Sequence, residues 1–237
     1  MEVREDVSYN GTSMVTALTP IQATFDRSRA ILVLERIIKR FVDILGGICG
    51  LILLIPLTIG IYIANLIAGD KGPIFYTQER YGKNGKIFKM YKFRSMVVGA
   101  DEKLKKLLEE DEEARKEFEE FKKLRNDPRI TKVGEFIRKT SLDEFPQFIN
   151  VLKGEMSLVG PRPYLPREKE DINGYFNYIM SVKPGITGFW QTNGRSNTTF
   201  VDRLDMDMKY YYKHSLKLDM KILKQTVSDV IKKEGAI

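Results

Sequence analysis

A run without any charged residue, residues 44–69, constrains the fold of this chain more than any other part of its sequence. At 1.5 Å per residue, a helix of about 26 residues is long enough to cross the hydrocarbon core of a bilayer. The length of the run argues against the alternative of a core helix in a soluble protein. The run therefore predicts a membrane segment, and its simplest form is one transmembrane helix.

Two features of the run argue against a straight span. Pro56 lies near its middle, where a proline removes a helical hydrogen bond and bends the axis. A helix that re-enters one leaflet and turns back at Pro56 accommodates this bend, with Thr58 or interfacial water meeting the broken hydrogen bond. The positive-inside rule also draws both ends to the cytoplasm, because basic residues flank the run on each side: Arg36, Lys39 and Arg40, then Lys71, Arg80, Lys83 and Lys86. The residues alone leave the re-entrant helix and the straight span equally favoured.

Composition limits the partners and metals that the chain can use. Its 237 residues carry a formal net charge of +7, which indicates an anionic partner: a membrane surface, a phosphorylated substrate or nucleic acid. A nucleic-acid binder fits the charge but not the uncharged run. One cysteine, Cys49, and one histidine, His214, provide neither a disulfide framework nor a zinc site. Any metal would be a hard ion held by carboxylates, and we expect Mg²⁺.

Two adjacent carboxylates, Asp143 and Glu144, precede an apolar helical pattern. We expect a helix that begins near Leu142, so that both carboxylates lie at its N-terminus, where free N–H groups favour anions. A simpler alternative is that Ser141 and Glu144 only form a capping box. The pattern consists of apolar residues at i, i+3, i+4 and i+7: Phe145, Phe148, Ile149 and Leu152.

Arginines near this pair indicate a phosphate site. Arg138 lies just before it, and Arg162 lies between Pro161 and Pro163, which hold that segment out of helix. Two carboxylates that face two arginines can bind a phosphate and a divalent cation. Arg195 follows a predicted tight turn, where it either meets a ligand or stabilises the turn.

The remaining elements are predicted from periodicity. Residues 74–78 and 87–93 form a β-hairpin, residues 101–125 a charged helical insert of one or two helices, and residues 186–191 a strand. The last helix is basic and amphipathic, and we favour docking on anionic lipid over a place in the core. Its apolar stripe is Leu216, Met220, Leu223, Val227 and Val230.

Several motifs, in one order, resemble the bacterial sugar transferase family, the monotopic phosphoglycosyl transferases. The resemblance begins near residue 35 and departs from the family in the membrane run, where Ile55 precedes Pro56 in place of an expected Ser-Pro. The motifs are Lys92-Phe93-Arg94-Ser95-Met96, Asn126-Asp127-Pro128-Arg129-Ile130-Thr131, Arg138-Lys139-Thr140-Ser141-Leu142-Asp143-Glu144, Gly160-Pro161-Arg162-Pro163, Lys183-Pro184-Gly185-Ile186-Thr187-Gly188 and Gln191-x-Asn193-Gly194-Arg195.

The resemblance implies an α+β, mostly helical fold with a re-entrant membrane helix, a small antiparallel β element and amphipathic helices on the membrane surface. It divides the chain into a polar tail (residues 1–30), the re-entrant helix (31–70, turning at Pro56) and a cytoplasmic-face catalytic domain (71–237). Its insert, 101–125, covers the site or mediates contacts in a homodimer. The cellular site implied is the bacterial inner membrane.

The resemblance also implies a reaction and its residues. Hexose-1-phosphate passes from a UDP-sugar to undecaprenyl phosphate, with UMP released, as the first membrane step of surface polysaccharide assembly; we favour galactose, then glucose. Asp143 is the nucleophile, and Glu144 binds Mg²⁺ with Asp207 as a possible third acidic group. The expected phosphate or nucleotide ligands are Arg80, Lys92, Arg94, Arg138, Arg162 and Arg195.

A non-catalytic scaffold that docks on anionic membrane is the rival interpretation. It explains the net charge and the amphipathic helices equally well. It gives no role to the Asp143–Glu144 pair, to Arg162 or to Arg195.

Overall fold

The computed structural model describes residues 29–194 and 198–232 of the chain. Within these ranges the chain is mostly helical with two small sheets, which confirms the predicted α+β class. The predicted tail, 1–30, lies outside the described residues except for its last two. The strands are β1 (Phe75–Tyr81), β2 (Ile87–Phe93), β3 (Ser157–Val159) and β4 (Gly185–Thr187). The helices are α1 (Arg29–Ile67), α2 (Ala100–Glu110), α3 (Glu112–Phe121), α4 (Lys132–Lys139), α5 (Gln147–Lys153), α6 (Lys169–Ile172), α7 (Phe176–Ile179), α8 (Phe189–Asn193), α9 (Phe200–Lys213) and α10 (Leu216–Lys232).

Polar contacts fasten one face of α1 to the rest of the chain. Arg40 donates to the carbonyl oxygens of Val151 and Leu152 at 2.7 and 2.9 Å, where α5 ends and no further helical turn supplies amide donors. Lys39 Nζ pairs with Asp219 Oδ2 of α10 at 2.6 Å. These two basic residues, which the sequence places as a cytoplasmic flank, therefore also hold α1 against the domain.

Glycines let α1 approach α5 closely. A Cβ atom at Gly50 would lie 2.2 Å from the ring of Phe148, and one at Gly47 would lie 2.7 Å from Leu152. Atoms this close overlap, so a larger residue at either position would displace the side chain of α5 that it meets. The predicted apolar face of the helix after Asp143 is thus confirmed, and its partner is the membrane segment.

The packing continues on the far side of Pro56. The helix is continuous through this proline. Leu54 before it and Ile61 after it are both buried, in one cluster with Phe93 of β2 and Ile137 of α4. Both halves of the apolar run therefore contact the domain.

The hydrogen bond that Pro56 removes is not replaced by Thr58. In an α-helix the N–H of residue 56 would donate to the carbonyl of Ile52. The Thr58 hydroxyl instead donates to the carbonyl of Leu54, at 2.7 Å. The expectation that Thr58 meets the broken hydrogen bond is wrong, because its hydroxyl bonds the carbonyl four residues before it and not that of Ile52.

The opposite face of α1 is apolar and exposed. Seventeen of its large hydrophobic side chains are exposed, from Val33 to Ile67. Over Val33–Ile67 the helix is long and apolar enough to cross a membrane, by length and composition. A surface this apolar indicates contact with lipid or protein.

The hairpin and the insert form as predicted. β1 and β2 pair antiparallel, with Phe75 opposite Phe93 and Tyr81 opposite Ile87. The insert is two helices, α2 and α3, separated at Asp111, whose side chain caps α3 by accepting from the amide of Ala114 at 2.9 Å.

The predicted strand at 186–191 is wrong beyond residue 187. β4 pairs in parallel with β3, an element the sequence did not predict, and α8 begins at Phe189. Gly188 separates them, and a Cβ at that position would lie 2.2 Å from the carbonyl oxygen of Gly160. Any residue other than glycine would therefore clash with the Gly160 backbone at the point where the strand gives way to the helix.

The predicted apolar stripe of the last helix, α10, lies largely on its outer face. Met220 and Val227 are 54% and 59% exposed. The buried face instead carries Asp219 and Ile222, with Leu223 partly buried against the core. An exposed apolar stripe beside lysines is typical of a helix that docks on a membrane surface.

The glycine contact gives a test of how α1 is held. Gly50→Ala should lower the free energy of unfolding by about 1–3 kcal/mol, because overpacking displaces Phe148. Gly60→Ala is the matched control, since a Cβ there meets no atom within 4 Å and alanine favours helix. Thermal unfolding of both variants in one detergent checks this, and equal unfolding temperatures would contradict the docking.

Candidate functional site

Asp143 and Glu144 lie in a 3₁₀ turn, Leu142–Glu144, and not in the first turn of an α-helix. The expected helix start at Leu142 is wrong, because it would require the N–H that Pro146 lacks to donate to the carbonyl of Leu142. The amide of Phe145 makes that contact instead, at 3.2 Å, and α5 begins at Gln147.

Ser141 does not cap this turn. Its backbone has φ 55°, in the left-handed region, and its side chain makes no capping hydrogen bond. The capping-box alternative is therefore wrong. A non-glycine residue in this conformation costs roughly 1–2 kcal/mol. Such strain concentrates at functional sites, which is consistent with a special role for the turn.

Lys92 bridges the two carboxylates. Its Nζ lies 2.8 Å from Glu144 Oε1 and 3.4 Å from Asp143 Oδ2. Asp143 is only 8% exposed, and this burial raises its pKa above the ordinary value while Lys92 opposes the rise. Burial disfavours the Lys92 ammonium, but the two carboxylates outweigh that effect and raise the pKa of Lys92. The lysine therefore helps to keep Asp143 ionised.

Helix α4 positions Arg138 beside the pair. Thr131 caps the N-terminus of the helix, its hydroxyl accepting from the amide of Gly134 at 2.9 Å. Gly134 lets the helix rest on the backbone of Ser95, because a Cβ there would lie 1.9 Å from the Ser95 carbonyl oxygen. Arg138, in the last turn, then donates from Nε to the Ser95 hydroxyl at 2.9 Å, and its charge lowers the pKa of Asp143, after the larger effect of Lys92.

A cavity of about 620 Å³ opens in front of Asp143. This volume is in the range of small-molecule sites. The insert forms one wall, from Gly99 to Leu104 with Phe118 and Lys122. Glu144 and Asp207 are not among the described residues that line it. The predicted site residues that do are Arg80, Lys92, Arg94, Arg138, Asp143 and Arg162.

Arg80 and Arg162 lie on the wall made by the hairpin and the Pro-Arg-Pro corner. Arg80 Nη1 donates to the Pro163 carbonyl at 2.8 Å, and Arg162 Nη2 pairs with Glu168 at 3.2 Å. Among the described residues, the buried Nε of Arg80 has no hydrogen-bond partner. Burial, followed by the charge of Arg162, lowers the pKa of Arg80 to about 9. Arg162 and Arg167 both lower the pKa of Arg80, so this wall concentrates cations that suit an anionic ligand.

Arg94 is a structural clamp although it borders the cavity. Its guanidinium donates to the carbonyls of Pro73 and Met96 at 2.6 and 2.9 Å and pairs with Asp70 at 2.8 Å. All three of its nitrogens are thereby engaged. These contacts favour a role in holding the end of β2 over one in binding phosphate.

Asp207 is completely buried beneath the Pro-Arg-Pro corner. Its Oδ2 accepts from the Arg162 amide at 3.0 Å and the Tyr164 hydroxyl at 2.7 Å. Burial raises the pKa of Asp207 to about 7, opposed by the Tyr164 hydroxyl and the Arg162 amide. The position favours support of Arg162 over metal binding. Its neighbour Asp205 instead accepts from Tyr175 at 3.0 Å, and Arg195 lies outside the described residues.

The Asp143–Glu144 pair, called the dyad below, offers oxygen ligands of the kind that a magnesium ion takes. Within residues 29–194 and 198–232 there is no cluster of three or more histidine, cysteine or acidic side chains that could hold a metal. Mg²⁺ is commonly bound by one or two carboxylates together with substrate phosphates and water. Glu144, partly exposed beside Asp143, provides such a carboxylate, and Lys92 is the group that a metal ion would have to displace or share.

Comparison with known proteins assigns the family. The family model described as Bacterial sugar transferase matches residues 34–233. The chain belongs to this family. The predicted resemblance is confirmed over the same part of the chain, including most of α1, the hairpin and the insert.

Relatives with curated names include two long proteins and one short one. The undecaprenyl-phosphate galactose phosphotransferase of Salmonella typhimurium is 47% identical over 85% of this chain and 42% of its own length. The UDP-glucose:undecaprenyl-phosphate glucose-1-phosphate transferase of Escherichia coli is 40% identical, over 81% and 40%. Exopolysaccharide production protein ExoY of Rhizobium meliloti is 38% identical, over 84% and 87%. The chain thus spans less than half the length of the first two.

Sequence reasoning missed other residues at the cavity. Arg167 and Lys122 line it, and Lys122 also pairs with Asp171 at 3.1 Å. Arg167 follows the Pro-Arg-Pro corner by four residues, a spacing that could have drawn attention to it. Lys122 gave no signal, because it lies in a densely charged helical insert.

The contacts of Arg94 and Arg138 predict that substitution by lysine has a different effect at each position. Arg94→Lys should lower the free energy of unfolding by about 2 kcal/mol, because a lysine cannot reach three acceptors from one buried position. Arg138→Lys should leave unfolding nearly unchanged and lower turnover. Thermal unfolding and UMP release measured on both variants test this. The assignment fails if Arg94→Lys unfolds like the parent while losing activity.

Proposed function

We propose that the chain transfers hexose-1-phosphate from a UDP-sugar to undecaprenyl phosphate. The observation that carries this proposal is a buried carboxylate, Asp143, in contact with Lys92 at the edge of an arginine-lined cavity. Family membership supports it, as do relatives named for transfer of galactose or glucose phosphate to this lipid carrier. A non-catalytic scaffold does not need a strained, buried acidic turn.

In the first half-reaction, an oxygen of the Asp143 carboxylate attacks the sugar-bearing phosphorus of the UDP-sugar. The bond to the bridging oxygen breaks, that oxygen leaves with UMP, and an aspartyl phospho-sugar remains. Lys92 keeps the nucleophile ionised, because a protonated carboxyl would not attack. Arg138, Arg80 and Arg162 are placed to stabilise the charge that develops on the phosphate oxygens.

In the second half-reaction, an oxygen of undecaprenyl phosphate attacks the same phosphorus. The bond to the Asp143 oxygen breaks and the carboxylate is restored, so the enzyme is unchanged and the product is a polyprenyl diphosphate sugar. Mg²⁺, when bound at Glu144, would neutralise the diphosphate and the leaving group. The exposed apolar face of α1 lies on the same domain as the cavity, as a lipid acceptor requires.

Removal of the nucleophile is the direct mutational test. Asp143→Asn is nearly isosteric and should lower turnover by about 10³-fold or more while the protein still folds. Asp205→Asn is the control: it makes the same change at a carboxylate that does not line the cavity. UMP release from a UDP-sugar with undecaprenyl phosphate measures both, and substantial turnover by Asp143→Asn would sink the nucleophile assignment.

Glu144 and Mg²⁺ are proposed to act together. Glu144→Gln should raise the Mg²⁺ concentration needed for half-maximal activity, or abolish turnover, because it removes a charged oxygen ligand. Excess chelator should stop the parent enzyme, and added Mg²⁺ should restore it. Full activity in excess chelator would refute a metal requirement.

The membrane course proposed for α1 is re-entrant, with both ends at the cytoplasmic face of the inner membrane. The packing supports this, because the same domain contacts α1 before and after Pro56. In a straight span, charged elements such as α4 would sit at the depth of the hydrocarbon core, where charges are costly.

Topology can be read from one introduced cysteine. A cysteine in the N-terminal tail, in a chain without Cys49, should be labelled from the cytoplasmic side in the parent. Pro56→Leu should partly lose that labelling, because a continuous apolar helix is more able to span. A tail already outside in the parent would mean that α1 spans, while leaving the enzyme proposal intact.

The sugar is a finer proposal. Named relatives act with galactose and with glucose, and we favour galactose first. Assays of UMP release over a panel of UDP-sugars decide between them. The role in surface polysaccharide assembly and the homodimer stay predictions.

A further inference from the structure

The buried side chain of Asn150 replaces a missing neighbour strand. β1 pairs along one edge of β2. On the other edge, Asn150 Oδ1 accepts from the amide of Tyr91 at 3.0 Å, and its Nδ2 donates to the carbonyl of Lys89 at 2.8 Å. The carboxamide thus makes the two hydrogen bonds that the N–H and C=O of a single residue in a parallel third strand would make. Nδ2 also donates to Glu155 Oε2 at 2.7 Å.

This contact joins the two halves of the proposed catalytic unit. Asn150 lies in α5, which follows the turn that carries Asp143. Tyr91 is the residue immediately before Lys92 in β2. The hydrogen bonds between Asn150 and β2 therefore set the position of Lys92 relative to the two carboxylates. The distances of 2.8 and 3.4 Å from Lys92 Nζ to these carboxylates depend on that position.

We propose that Asn150 is a positioning residue that holds Lys92 against Asp143 and Glu144. The inference rests on the proposed function for its effect on turnover, but not for its effect on the lysine. Asn150 is 0% exposed and touches neither carboxylate of the dyad through any hydrogen bond described. It acts through the backbone of β2.

The chemistry of the site explains why the residue is an asparagine. Two acceptors, the Lys89 carbonyl and the Glu155 carboxylate, face one end of the side chain, and one donor, the Tyr91 amide, faces the other. Only a primary amide presents two donors and an acceptor in this arrangement. An aspartate would place its charge against Glu155 and leave the Lys89 carbonyl without a donor.

Lysine reactivity tests the inference without relying on catalysis. Lys92 is held by two carboxylates, and Lys39 is held by Asp219 in another part of the fold, so both should react slowly with an amine-modifying reagent. Asn150→Ala should raise the labelling rate of Lys92 about fivefold or more, measured by peptide mass spectrometry, and leave that of Lys39 within twofold. A general loosening of the fold would raise both rates.

A milder variant covers the case in which Asn150→Ala does not fold. Glu155→Ala removes one acceptor of Asn150 from a partly exposed position and should raise Lys92 labelling by a smaller factor. Thr187→Val, which removes a hydrogen bond to Thr226 in the same core, is the matched control and should leave Lys92 labelling unchanged. The inference is overturned if neither Asn150→Ala nor Glu155→Ala changes Lys92 labelling, or if Lys39 responds equally.

Turnover separates this inference from the proposed function. If both hold, the folded Asn150→Ala protein should show at least a tenfold lower kcat with KM for the UDP-sugar within about threefold. Altered Lys92 labelling with a fully active Asp143→Asn would keep the positioning role and reject the reaction. Unaltered labelling with an inactive Asp143→Asn would reject the positioning role and keep the reaction.

Discussion

The contact between Lys92 and the buried Asp143 carboxylate is the interaction on which the candidate site depends. Removing a carboxylate from water costs several kcal/mol. The attraction of a cation about 4 Å away stabilises it by about 4 kcal/mol at an effective dielectric constant near 20. The two effects are of the same order, so Lys92, with a smaller contribution from Arg138, allows Asp143 to be both buried and ionised. Burial makes the carboxylate less solvated and hence a better nucleophile, and the lysine prevents its protonation.

A second constraint is that the long apolar helix α1 packs as part of the domain. Asp43, in α1, accepts from the Ser157 hydroxyl and the Leu158 amide at 2.9 and 2.8 Å, so a buried carboxylate of the helix satisfies the start of β3. Together with the glycine contacts on α5, this fixes the helix relative to the element that follows Asp143. The proposed site is therefore held at a set position relative to the exposed apolar face of α1, where a lipid-borne acceptor would arrive.

The sequence predicted those parts whose signals are local. The uncharged run is recognised by its length and lack of charge, and the hairpin and the charged insert by their periodicity; all three form helices or strands as predicted. The left-handed Ser141 and the 3₁₀ turn were missed, because the apolar pattern from Phe145 onward looks the same whether the helix begins before or after Pro146. The parallel pair of β3 and β4 was missed because two three-residue strands, far apart in the chain, leave no periodic signal.

The residues of the candidate site also fall into those that local motifs indicate and those that only the three-dimensional contacts reveal. Asp143, Arg138 and Arg162, which the motifs singled out, all line the same cavity. The motifs could not separate Arg94, a structural clamp, from Arg138, because both are arginines in similar basic surroundings and only their acceptors distinguish them. Asn150 carried no signal, because a buried amide that mimics a strand is recognised only from its three-dimensional contacts.

The most direct test of the account is mass spectrometry of the enzyme mixed with a UDP-sugar and Mg²⁺ in the absence of undecaprenyl phosphate. We expect a burst of UMP of up to one per chain, a mass increase of one hexose phosphate on the peptide that contains Asp143, and loss of that mass when undecaprenyl phosphate is added. UMP that appears only after the lipid is added, with no covalent sugar phosphate on the chain, would contradict it.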